Sequence, residues 1–103
     1  CNPYLALACI LKAGLDGVRR KLVPGDPVEA SLGQLSDDER AALGVEQLPA
    51  SLQEAVGSLD EDALMRSTLG DHTYHRFREA KLAEWESYRT QVHPWELDAY
   101  LRL

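Results

Sequence analysis

The first stretch of the chain is almost unbroken apolar sequence. From Pro3 to Ala13 the one charged residue is Lys12, and apolar positions continue through Leu15, Val18 and Leu22. Leu7, Leu11, Leu15, Val18 and Leu22 recur at i+4 and i+3 steps, which places them on one stripe of a 3.6-residue helix. Asn2 suits the N-cap because its side-chain oxygen accepts from an otherwise unpaired backbone N–H. Pro3 suits the first helical position, where its missing N–H costs nothing. The predicted helix over 3–22 is too apolar for the surface of a small protein, so the run reads as the interior of something larger. Gly14 and Gly17 each cost about 1 kcal/mol relative to Ala. The expected reason is close approach of another backbone.

Beyond this helix the punctuation is regular. Val23-Pro24-Gly25-Asp26-Pro27 stops it and opens a loop over 23–35. Ser36-Asp37-Asp38-Glu39 reads as a capping box for a short helix of about 37–43, stopped by Gly44. Ser51-Leu52-Gln53-Glu54 reads as a second box, for a helix of about 52–58. Asp60-Glu61-Asp62 puts acids on the first turn of a third short helix, about 61–69, where they offset the dipole; Gly70 closes it. A long amphipathic helix follows over about 71–92, roughly 33 Å. Tyr74, Phe77, Lys81 with Leu82, Trp85, Tyr88 and Val92 form its packing stripe, opposite Glu79, Glu86 and Arg89. Pro94 breaks it and starts a tail helix over 94–103. Nothing alternates like a strand and nothing repeats. The predicted fold class is all-α, with five to six helices in one domain or part of one.

With 103 residues, 45% of them hydrophobic and 27% charged, the composition is that of a globular domain. A net charge of −6 gives no footprint for nucleic acid. The one basic cluster, Arg19-Arg20-Lys21, sits where cations favour a helix C-terminus. Cys1 and Cys9 lie about 12 Å apart along one helix, too far to bridge, which points to a reducing, cytoplasmic setting. Lys12 and Asp16 interrupt the only apolar run approaching membrane-spanning length, so no membrane partner is expected.

Candidate chemistry is sparse. His72 and His75, at i and i+3 beside Asp71 and Glu79, have a spacing that suits a metal, but no third ligand is evident. His75 reads better as a polar neighbour of the aromatic stripe, and Cys9 as a small buried hydrophobe. There is no phosphate-cradling glycine loop, nucleophile elbow or zinc-protease helix motif. No catalytic, cofactor-binding or metal-binding residue is assigned to this chain. The tail is different: Trp95, Leu97, Tyr100, Leu101 and Leu103 form an apolar payload with little sequence left to bury it. They are the expected subunit-interface residues, aromatic anchors being favoured there.

Three blocks carry a family resemblance. They are Asn2-Pro3-Tyr4-Leu5-Ala6-Leu7 through Ala13-Gly14-Leu15-Asp16-Gly17, then Leu48-Pro49-Ala50-Ser51-Leu52-Gln53-Glu54-Ala55. The third runs from Glu79-Ala80-Lys81 with Glu84-Trp85-Glu86 to Tyr88-Arg89-Thr90-Gln91-Val92-His93-Pro94-Trp95-Glu96. In this order they resemble the C-terminal part of the catalytic domain of type I bacterial glutamine synthetases. The third block most resembles the non-adenylylated alpha subtype. The resemblance implies an intact cytoplasmic enzyme that ligates ammonia to glutamate through γ-glutamyl phosphate. It would use ATP and Mg²⁺ or Mn²⁺, in a homo-dodecamer of two hexameric rings. The metal, phosphate and substrate groups of that family fall upstream of Asn2, so the fragment itself is expected to be inactive and to buttress the site from behind.

Two further implications concern regulation and assembly. Gly33, within Ser31-Leu32-Gly33, stands where adenylylated members carry the acceptor tyrosine, so that modification site is absent. Trp95–Leu103 matches the tail that inserts into the facing ring, and in Gram-positive relatives the C-terminal region also takes part in contacts with nitrogen-responsive repressors. The family commonly ends in an aromatic residue beyond this point, so the chain is expected to continue past Leu103. The competing readings are a fragment of a related γ-glutamyl-amine ligase and a free-standing helical interaction module.

Overall fold

The computed structural model describes residues 1–101. In order it contains α1 (Pro3–Arg20), a 3₁₀ turn (Leu32–Gln34), α2 (Asp37–Ala42), α3 (Leu52–Glu61), α4 (Ala63–Leu69), α5 (Asp71–Arg89) and α6 (Pro94–Tyr100). There is no strand among the described residues, so the class is all-α. Leu103, expected within the tail helix, lies outside the described residues, and α6 stops at Tyr100.

Most helix ends have a visible chemical cause. Asn2 Oδ1 accepts from the Tyr4 and Leu5 N–H groups at 3.0 and 3.4 Å. At the other end of α1 the Lys21 N–H reaches the Val18 carbonyl and the Leu22 N–H reaches Gly17. This is a Schellman closure, with Lys21 at φ 52° where glycine is usual. The helix therefore ends at Arg20 rather than running to Leu22. Ser36 and Glu39 form a reciprocal box: Glu39 N–H donates to Ser36 Oγ, and Ser36 N–H donates to Glu39 Oε2 at 2.8 Å. At α3 the reciprocity is shifted, because Glu54 Oε2 accepts from Ala50 N–H instead of from the cap residue.

Two boundaries differ from the sequence pattern in an instructive way. Helix α3 does not stop near Ser58 but runs to Glu61, and Asp62 alone caps α4 through Met65 N–H at 3.0 Å. Asp60 and Glu61 thus sit at a helix C-terminus, where the dipole disfavours them; Asp60 is held there by cations from elsewhere. Helix α5 ends at Arg89 rather than Val92, and Thr90 Oγ1 turns back to donate to the Glu86 carbonyl at 3.0 Å. Between α4 and α5, Gly70 at φ 73°, ψ 156° occupies backbone space open almost only to glycine.

Packing involves four of the helices: α1 lies on α4, α3 on α5 and α4, and α4 on α5. Helices α2 and α6 belong to none of these packed pairs. The outcome is an open arrangement, not a globule. The Cα radius of gyration is 18.5 Å, where a compact chain of this length has about 13 Å. The accessible surface is 8830 Å², against about 5,800 Å² for a folded monomer of this mass. Among the described residues only Val56 is buried, at 4% exposure. The modest core that this length allows is not formed by these residues alone.

The apolar helix α1 shows why. Its half-covered positions are Leu5, Ala6, Cys9, Lys12, Asp16 and Gly17. The stripe Leu7, Leu11, Leu15, Val18 and Leu22 is exposed, Leu11 to 65% and Val18 to 75%. The regular apolar stripe is thus the face turned away from α4. A Cβ built on Gly14 or Gly17 would meet nothing within 4 Å, so no part of the described chain makes the expected close approach. Along α5, Tyr74, Phe77, Lys81, Leu82 and Trp85 are half-buried as the stripe requires, while Tyr88, and Val92 beyond the helix end, are exposed. Lys81 fits that stripe by laying its stem down, its ammonium 5.9 Å from the Phe77 ring centroid.

Candidate functional site

The best-defined polar constellation joins α3, α4 and α5. Asp60 accepts from the Tyr74 hydroxyl at 2.6 Å and from Arg78 Nε at 3.0 and 2.9 Å. Arg66 Nη1 donates to the Asp60 carbonyl at 3.2 Å, and its guanidinium lies 5.8 Å from the Tyr74 ring centroid. The Tyr74 hydroxyl, then the Arg78 guanidinium, hold the Asp60 carboxyl below the usual carboxylate range. The same bond raises the Tyr74 phenol and the Arg78 guanidinium above their ordinary values. The Asp60 carboxylate, the Tyr74 hydroxyl and Arg78 Nε all find partners within the cluster. It has the chemistry of a clamp that fixes the α3–α4 turn on α5, not of a poised acid or base.

Sequence patterning missed this clamp, reading Asp60 as a helix-start acid and assigning Arg78 no role. Tyr74 and Arg78, four residues apart on one helix, share a face and were a readable half of it. Their acceptor lies 14 and 18 residues upstream, across two turns, and no local spacing points to it.

His72 and His75 do not converge with a further ligand among the described residues. His72 and His75 are exposed, and the His75 ring leans on Tyr74 with centroids 5.0 Å apart. Among the described residues no three His, Cys, Asp or Glu side chains converge as a metal cage. Cys9 is half-buried, at the edge of a groove of about 400 Å³ bounded by Leu5, Leu69, Phe77 and Lys81.

The tail is an apolar surface. Trp95 and Tyr100 are 69% and 67% exposed, and their rings meet edge to face at 5.8 Å. Leu97 and Leu101 are also exposed. The tail start is well anchored locally, with His93 N–H donating to Glu96 Oε2 at 2.7 Å and the His93 ring 5.4 Å from Tyr88. Gly33 lies in the 3₁₀ turn, exposed, with open space where a Cβ would go. No helix of the described chain is long and apolar enough to cross a membrane.

Two apolar faces, on α1 and on the tail, are exposed among the described residues, and comparison with known proteins gives their context. Residues 1–100 match the family described as glutamine synthetase, catalytic domain. The chain belongs to the glutamine synthetase catalytic-domain family. Among its relatives is glutamine synthetase of Clostridium saccharobutylicum, 48% identical over 100 residues that cover 97% of this chain and 23% of that protein. The Thermus thermophilus enzyme is 46% identical over 101 residues, covering 98% and 23%. A solved structure described as apo GmaS without ligand superposes with a TM-score of 0.75 at 34% identity, covering all of this chain and 23% of that one. The chain thus spans about a quarter of the length of the relatives it matches. Matches extend to the archaeon Methanocaldococcus jannaschii, 45% identical over 101 residues, so identity alone does not single out a bacterial subtype.

Proposed function

We propose that this chain is the C-terminal helical part of a glutamine synthetase subunit of the alpha subtype. The intact subunit would ligate ammonia to L-glutamate through γ-glutamyl phosphate, using ATP and Mg²⁺ or Mn²⁺ in the cytoplasm. The observation that carries this reading is the 48% identity over residues spanning 23% of a named glutamine synthetase. The subtype rests on the block from Tyr88 to Glu96, and the absence of control by adenylylation rests on Gly33.

In this reading the chain contributes support. The exposed stripe Leu7, Leu11, Leu15, Val18 and Leu22 packs on the remainder of the catalytic domain. Covering each such side chain fully is worth about 1.5–3 kcal/mol, more than offsetting the two helix glycines. The exposed tail, Trp95, Leu97, Tyr100 and Leu101 with Leu103 beyond the described residues, serves subunit contact within a dodecamer. Contact with a nitrogen-regulatory repressor is a further role proposed for this region.

Activity and assembly are tested on the full subunit containing this sequence. Glutamate, ATP and ammonia should yield glutamine; product only when a polyamine replaces ammonia would reassign it to a related γ-glutamyl-amine ligase. Truncation before Trp95 should split the dodecamer, seen as hexamer-sized species in analytical ultracentrifugation, before glutamine formation is lost. An unchanged dodecamer would remove the tail from the interface.

A further inference from the structure

We draw no further inference here: the strongest candidate, the apolar groove between α1, α4 and α5 lined by Leu5, Cys9, Leu69, Phe77 and Lys81, is an unpartnered face, and nothing in the structure shows what covers it.

Discussion

Helices α1 and α5 are of similar length, 18 and 19 residues, and opposite in character. The first is nearly all apolar and leaves its most regular stripe in the open. The second is crowded with charge, yet it is the element on which α3 and α4 pack. Apolar content therefore does not locate the packed centre of this chain. That centre forms where a sparse set of apolar positions meets the Asp60–Tyr74–Arg78 clamp. On the proposed reading, the apolar surplus on α1 packs on the remainder of the catalytic domain, and burial there is what makes it stabilising.

The sharpest way to break this contrast is Leu11→Asp in two settings. In the 103-residue chain position 11 is exposed, and the change should alter stability by no more than about 0.5 kcal/mol. In the intact subunit the same carboxylate would be buried without a partner, costing about 3–5 kcal/mol. Chemical denaturation of both forms measures the difference. Equal, small effects in the two would mean that the stripe faces water in the intact protein as well.

Val56→Ala probes the other side of the comparison. Val56 belongs to the covered positions Leu52, Val56, Leu59 and Asp60 of α3, spaced to face α4 and α5. Removing two methyl groups from the most buried side chain should cost about 1–3 kcal/mol. A urea midpoint that does not move would show that α3 is not seated on α5 in solution.

A smaller effect is expected from Asp60→Asn, which keeps the shape of the clamp and removes its charge. The folded-state pKa of Asp60 is depressed by Tyr74 and Arg78. Its contribution is therefore fully present above the unfolded carboxylate range and is lost as pH falls through the lower folded value. Wild type should be the more stable at neutral pH, and the two should converge below about pH 4. Parallel acid-denaturation curves would sink the clamp as a source of pH dependence.

How much of this was readable follows from which signals are local. Helix starts at Asn2 and Ser36 are written in the residues that make the hydrogen bonds, the start at Pro94 in a residue whose missing N–H costs nothing at that position, and Gly44 and Gly70 mark backbone angles that other residues resist. The α1 stripe is also local, and it states correctly that a face needs cover. It cannot state what supplies the cover, and here α4 takes the opposite face, on Leu5, Cys9 and Lys12. The extension of α3 to Glu61 leaves Asp60 at the end of a helix where the dipole disfavours it, and its cationic partner, Arg78, is 18 residues distant. The exposure of the tail was legible as excess, Trp95 and Tyr100 being too many aromatics for what remained to bury them.

The smallest effect concerns the region that neither helix of the opening comparison touches. Ser36→Ala deletes the α2 cap, and losing such a cap costs about 1 kcal/mol of local helix stability. Because α2 belongs to none of the packed pairs, that loss has no lever on the bundle. The urea midpoint of the chain should stay where it is, while amide exchange at Asp38, Glu39 and Arg40 should quicken several-fold. A midpoint that shifts together with the exchange would mean that α2 is coupled to α3 through Leu48-Pro49. The division between packed bundle and independent flank would then have to be redrawn around that link.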